Sequence, residues 1–246
     1  MTKALMARLD RLLANLGYGS RKDVQALIAG GKVVLDGKVL KDVGTKVAVT
    51  ADLPDRMTIR GRPVDPPAPL VLIMHKPLGV VCSHKEDGER IYDLLPKRWQ
   101  IRDPGLSTVG RLDKDTSGLI LITDDGDSLH RVISPKRHVP KTYLATLDRP
   151  LNGSEGPLFA AGELMLEGEE KPLLPAELAV IDPHHARLTI TEGRYHQVRR
   201  MFAAAGNHVN ELHRERIGGL VLPADLEPGQ YRILPTAEAE QVFGDV

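Results

Sequence analysis

The chain has 246 residues, with Lys+Arg and Asp+Glu both at 33, so net charge excludes neither an acidic nor a basic partner until it is divided by region. A chain of this length can bury one sizeable core plus a smaller module. The single cysteine, Cys82, excludes an internal disulfide, charges at Lys3, Arg8, Asp10 and Arg11 interrupt any signal-peptide core, and no apolar run approaches a membrane span, so a soluble cytoplasmic protein is expected.

Residues 1–50 carry nine Lys/Arg against four acids, which leaves +5 there and −5 in the remainder. That asymmetry suits a small module gripping a polyanion, and it equally suits solvated charge on small helices. Leu5, Leu9, Leu12, Leu13 and Leu16 share one helical face, and the helix should stop at Gly17 to Gly19. Ser20 with Asp23 reads as a capping box opening a second helix, with Val24, Leu27 and Ile28 inward and Gly30-Gly31 at its end. Asp36-Gly37 between K-V-V-L and K-V-L predicts a hairpin. From Gly61 to Pro69 four prolines occur (Pro63, Pro66, Pro67, Pro69), which predicts a stiff linker between a module at 1–60 and a second domain at 70–246.

After the linker, Leu70 to Met74 and Val80 to Ser83 read as strands, His84 to Arg90 as a loop, and Ile91 to Leu95 as a short helix or turn. The stretch V-G-R-L-D-K-D-T-S-G-L-I-L-I-T-D-D-G-D, from Val109, places Arg111 and Asp113 in a Gly-flanked segment ahead of an apolar strand, Leu119 to Ile122, that ends in an Asp-Asp-Gly turn. Alone, it also reads as a surface turn in which Arg111 pairs with Asp113 or Asp115. Ser128 to Ile133 can form a helical turn, Lys141 to Leu147 alternates as a strand, and Leu151 to Pro175 suggests a helix with a loop or short hairpin. Arg187 to Thr191 is a further strand, followed by the helix R-Y-H-Q-V-R-R-M-F-A-A-A-G closed at Gly206, strand fragments at Val209 to Leu212, Leu220 to Leu222 and Tyr231 to Leu234, and a short helix near Ala237. Hairpin-linked strands with few crossover helices predict an α+β fold with a largely antiparallel mixed sheet.

No phosphate loop, dinucleotide fingerprint, nucleophile-elbow serine or zinc-spaced Cys/His set is present. His184-His185 lacks partner ligands, and Cys82 follows an apolar pair as a small buried hydrophobe would. What remains is Asp113, Tyr143 beside Lys141, and an arginine-rich segment with Arg194, Arg199 and Arg200. Taken singly, Tyr143 reads as a half-buried sheet aromatic and the arginines as a solvated helix face.

The N-terminal pattern R-L-D-R-L-L-A-N-L-G-Y-G-S-R-K-D-V-Q-A-L-I-A-G-G-K-V-V-L-D-G-K-V-L resembles the S4 RNA-binding domain. The ordered motifs H-K-P-L-G-V-V-C-S, G-R-L-D-K-D-T-S-G-L-I-L-I-T-D-D-G, K-T-Y and E-G-R-Y-H-Q-V-R-R-M-F resemble the pseudouridine synthases that carry such a domain. R-Y-H-Q-V-R-R-M-F-A-A-A-G-N-H-V and E-L-H-R-E-R-I-G-G-L resemble the RsuA-type branch acting on 16S rRNA; 23S rRNA and a non-catalytic rRNA assembly factor are the competing expectations. The resemblance implies cofactor-free isomerisation of a uridine, with Asp113 as nucleophile or electrostatic partner at the ribose, Tyr143 stacking on the flipped base, and Arg199 keeping Asp113 ionised. It further implies RNA contacts from Arg8, Arg21, Lys22, Lys32, Lys76, Arg111, Lys141, Arg194 and Arg200, contacts that position without reading bases. Ribosomal RNA, free or in a partly assembled small subunit, is the expected partner, with no membrane, no metal and a monomeric state.

Overall fold

The computed structural model describes residues 5–126 and 137–243. Its first elements are β1 (Leu5–Arg8), α1 (Leu9–Asn15), α2 (Arg21–Ala29), β2 (Val33–Leu35), β3 (Lys38–Leu40), β4 (Lys46–Val49), α3 (Leu53–Arg56), β5 (Met57–Ile59) and β6 (Arg62–Pro63). The leucine face predicted as one helix is divided. Leu9, Leu12, Leu13 and Leu16 are buried as expected, but Leu5 is 72% exposed because β1 pairs antiparallel with β4 before the chain turns helical at Leu9. The Ser20 hydroxyl accepts from the Asp23 amide at 3.3 Å while the Asp23 carboxylate accepts from the Ser20 amide at 3.0 Å, completing the capping box. Asp36 and Gly37 both take positive φ, 48° and 75°, as the two-residue hairpin between β2 and β3 requires. β2 also pairs with β5, a strand the sequence did not announce.

The helices and this small sheet close over Leu13, Val24, Ile28, Val33, Leu53 and Met57. The proline segment, expected as a stiff linker, packs along this unit. β6 pairs with β5, the Val64 amide donates to the Met57 carbonyl, and the Asp65 amide donates to the Tyr18 hydroxyl at 3.0 Å. Leu95–Ser107 and Thr123–Asp125 join the same compact unit, which otherwise runs through Leu70. Arg98 donates to the Asp65 carboxylate and lies 4.6 Å over the Tyr18 ring, and Arg102 donates to the Pro66 carbonyl at 3.0 Å and to Asp124 at 2.9 Å.

The second unit comprises Val71–Leu94, Thr108–Ile122 and the chain from Gly126 on. Its strands are β7 (Val71–Lys76), β8 (Ser107–Thr108), β9 (Thr116–Thr123), β10 (Lys141–Leu147), β11 (Glu177–Asp182), β12 (His185–Ile190), β13 (Val209–Ile217), β14 (Leu220–Val221) and β15 (Tyr231–Ile233), with helices α4 (Glu155–Ala160), α5 (Gln197–Ala204) and α6 (Thr236–Ala239). They form one mixed sheet in the order β11-β12-β10-β13-β9-β7-β15, with β8 on β9 and β14 on β13. β13 runs parallel to β9, whereas β11–β12, β12–β10, β10–β13 and β7–β15 are antiparallel. This is the α+β, largely antiparallel fold that the sequence predicts.

β9 lies between β13 and β7, and every residue from Gly118 to Thr123 is buried, which is why its sequence is a continuous apolar run. Gly118 meets Arg214 of β13 in register, and a Cβ there would stand 2.3 Å from the Arg214 carbonyl, so only glycine permits this approach. Two expectations change: Val80 to Ser83 makes a single bridge, Val81 to Arg90, in place of a strand, and β13 continues five residues past the expected Leu212. β11, an exposed edge strand without alternation, was not expected from the sequence. The helical turn expected at 128–133 lies outside the described residues.

Candidate active site

A cavity of about 690 Å³ opens in the second unit, and Asp113, Lys141, Tyr143, Tyr195, His196 and Arg214 are among the residues that line it. Asp113 sits on the segment entering β9, where its carbonyl accepts from the Thr116 amide at 3.1 Å and the neighbouring Lys114 carbonyl accepts from Gly79 at 2.8 Å. These bonds hold the loop, while the Asp113 side chain stays 36% exposed with His196 Nε2 at 3.4 Å from Oδ1. His196 is the N-cap of α5 and adopts a left-handed backbone, φ 48°. A left-handed non-glycine residue beside a cavity carboxylate is the kind of strain that clusters at working sites.

Arg199 is placed differently from the expectation. Its guanidinium donates to the Asp115 carbonyl at 2.9 Å and the Val209 carbonyl at 2.7 Å, and pairs with the Asp115 carboxylate at 3.2 Å. It fastens the loop that carries Asp113, two residues away from the carboxylate it was expected to meet. Asp115 is its anchor in that loop.

Tyr143 is 8% exposed and projects from β10 on the same face as Lys141. Burial, reinforced by the positive charge of Arg214, pushes the Lys141 ammonium down to about 8. Its Nζ donates to the Val139 carbonyl at 2.9 Å. Lys76 is fully buried, with Nζ donating to the Thr116 carbonyl at 2.8 Å and the Pro77 carbonyl at 3.0 Å. Burial lowers its pKa, against the upward pull of Cys82, Asp113 and Asp115. An ammonium enclosed in this way cannot reach an RNA phosphate, so the backbone contact expected of Lys76 is replaced by an electrostatic role beneath the loop.

Arg194 and Arg200 converge on Glu169, at 3.2 and 2.9 Å, and hold its carboxyl below the usual range, Arg200 most strongly. Arg194 further donates to the Lys171 and Pro172 carbonyls, and Arg200 to the carbonyls of Glu167 and Tyr195. Their donors are engaged within the protein, where RNA contact was expected. Both brace the segment that presents Tyr195 and His196, whose rings stack at 3.9 Å between centroids. Arg111, by contrast, is exposed and pairs with Glu86 of the charged loop. In the first unit Arg8 is paired with Asp10 at 3.0 Å, whereas Arg21, Lys22 and Lys32 are exposed and enter no salt bridge among the described residues.

Arg214, His196 and Tyr195 were not singled out as site residues from the sequence. Arg214 had a readable signal, because V-N-E-L-H-R-E-R-I buries Val209, Leu212 and Ile217 and places an arginine among them. His184 Nδ1 donates to the Leu147 carbonyl and His185 contacts Asp182, and no group of His, Cys, Asp and Glu suited to a metal occurs among the described residues. No helix among the described residues is long and apolar enough to cross a membrane. A carboxylate, a buried aromatic wall and several basic groups around one cavity can receive a planar base with its ribose and stabilise charge as a bond to the sugar changes.

The model of the RNA pseudouridylate synthase family matches residues 70–204, and that of the S4 domain matches residues 7–53. The chain belongs to the RNA pseudouridylate synthases and carries an S4 domain at its N-terminal end. It is 43% identical to the ribosomal small subunit pseudouridine synthase A of Escherichia coli (strain K12), over 96% of this chain and 99% of that protein. It is 42% identical to the protein of the same name from Vibrio cholerae, with the same coverage. Among solved structures, a pseudouridylate synthase superposes with a TM-score of 0.67 at 36% identity, covering 96% of this chain and 99% of its own.

Proposed function

We propose that this chain isomerises a uridine of 16S ribosomal RNA to pseudouridine, in the cytoplasm and as a monomer. The observation that carries the reading is the placement of Asp113 at a cavity walled by Tyr143, in a chain similar over nearly its full length to small-subunit pseudouridine synthases.

The target nucleotide leaves its RNA stack and enters the cavity, with its base against the Tyr143 ring. The N1–C1′ bond breaks, Asp113 meets the electron-poor C1′, the base turns, C5 joins C1′, and the C5 proton is lost as N1 gains one. Atoms and electrons balance within the nucleotide, so the reaction itself calls for no redox partner or energy donor. Arg199 acts as a positioning residue through Asp115. Arg21, Lys22 and Lys32 on the S4 domain, with Arg111 at the cavity, supply phosphate contacts, and Arg111 exchanges Glu86 for a phosphate oxygen.

Carbodiimide mapping of pseudouridine in 16S and 23S rRNA, from cells with and without the gene, tests the activity and the target together. One 16S position should lose its mark. Asp113→Asn should fail to restore that mark while binding a 16S transcript as the parent does, because the lost charge lies at the sugar and not at the phosphates. A mark restored by Asp113→Asn would overturn the role of this carboxylate, and unchanged maps would favour a non-catalytic assembly factor.

A further inference from the structure

We propose that Arg214 is the anion-holding donor of the cavity, its free Nη2 taking a carbonyl oxygen of the uracil ring once that ring has left the ribose. The inference rests on the pseudouridine-forming reading above and adds a catalytic residue to it.

Arg214 is 2% exposed. Nε donates to the Leu119 carbonyl at 2.8 Å, and Nη1 reaches the Tyr143 hydroxyl at only 3.4 Å. Nη2 is buried with no hydrogen-bond partner among the described residues, and Arg214 lines the cavity that also holds Asp113. No carboxylate forms a salt bridge with this guanidinium among the described residues. A buried cationic donor left over in this way is costly, and a folded protein retains one where a ligand completes it. The position is also built in. Gly118 lets β9 approach the Arg214 backbone, and the Leu119 carbonyl fixes the Nε side of the fork, so the guanidinium is held in one orientation beside the cavity.

The substrate base is neutral, but the reaction makes it an anion. When the N1–C1′ bond breaks, its electron pair stays on N1 and spreads to O2 and O4, while Asp113 takes up the electron-poor C1′. Arg214 Nη2 donates to one of those oxygens as its charge develops. When C5 closes onto C1′, Asp113 is released, the C5 proton leaves and N1 takes up a proton, so the hydrogen bond to Arg214 returns to ordinary strength. A donor idle before bond cleavage and engaged during it stabilises the transition state more than the ground state. Lys141 strengthens the case. It lines the same cavity as Arg214, and burial first, then the positive charge of Arg214, holds its ammonium pKa down to about 8.

The test begins with the full-length wild-type protein and two free bases, uracil and the far more acidic 5-nitrouracil, titrated by calorimetry at a pH where only the second is an anion. The anion should bind at least about tenfold more tightly, and Arg214→Gln should erase that preference. On a 16S transcript, Arg214→Gln should lose about 10²- to 10³-fold in kcat with KM changed less than about threefold, and Arg214→Lys should recover part of the loss. Equal binding of the two bases by wild-type protein overturns the proposal without recourse to any variant. So does a kcat for Arg214→Gln within about threefold of the parent, or a loss confined to KM and Tm, which would mark a purely structural arginine. Wild-type protein that forms no pseudouridine at all would instead remove the functional reading on which the proposal stands.

Discussion

Asp124 closes the apolar strand that follows the catalytic loop, and its replacement should be among the most destabilising changes in the first unit. Its carboxylate accepts from the Leu70 amide at 2.7 Å and from Arg102 Nη2 at 2.9 Å, and the two paired side chains are 0% and 2% exposed. Asp124→Asn keeps the volume but removes the charge, and its one remaining acceptor oxygen cannot serve both the Leu70 amide and Arg102 Nη2, so Arg102 is left in the interior as a charge with no counter-ion among the described residues. Breaking one side of a buried ion pair costs about 3–5 kcal/mol, whereas replacing both partners with apolar groups of similar size is often close to neutral. Asp124→Asn should therefore cost about 3 kcal/mol, a large share of the 5–15 kcal/mol typical of a domain. The double change Arg102→Met with Asp124→Leu should recover most of the loss. Urea unfolding followed by the fluorescence of Trp99, the only tryptophan and a buried residue of this same unit, reports the effect. A cost below about 1 kcal/mol for Asp124→Asn, or a double variant no better than the single one, would refute the reasoning.

Three further outcomes follow from the site. Glu86→Gln releases Arg111 from its exposed partner and should tighten binding of a 16S transcript by about 1.5- to 5-fold at low salt; unchanged affinity would show that Glu86 does not compete with phosphate. Lys141 loses its charge near pH 8, so affinity for RNA should fall as pH rises through that value, and Lys141→Arg should flatten the fall. Between about 8 and the ordinary lysine value the unfolded chain binds the extra proton, so this group's contribution to stability should rise with pH, which thermal melts of the parent and of Lys141→Met can compare. Tyr195 is 74% exposed and stacked on His196, a platform for an RNA base, so Tyr195→Ala should raise KM about 5- to 100-fold and Tyr195→Phe should not. Equal values for the Ala and Phe variants would argue against stacking.

Much was legible because it is local. The Ser20–Asp23 box, the Asp36-Gly37 hairpin and the buried run of β9 depend on residues within a few positions of one another, and each formed where its pattern placed it. Asp113 was legible only through its ordered motifs, since a lone aspartate between turn residues has no distinguishing period. Leu5 misled because its helical spacing is real while its strand pairing partner, Val49, lies far along the chain. Lys76, Arg194 and Arg200 misled for a related reason: charge is visible in a sequence, but burial and the carbonyls that engage a guanidinium are not.

By itself the sequence determined the α+β class, the capped helices, the basic N-terminal module and the membership of the catalytic motifs, because periodicity and motif order survive in one dimension. Only the tertiary structure decided which charge faces which. It set Arg199 on Asp115, His196 on Asp113, the proline segment against Tyr18 and Arg98, and a charged Arg214 with a free donor beside the cavity. Electrostatic partners are chosen by distance in space, and here the pairing of β13 with β9 brings together residues nearly a hundred positions apart.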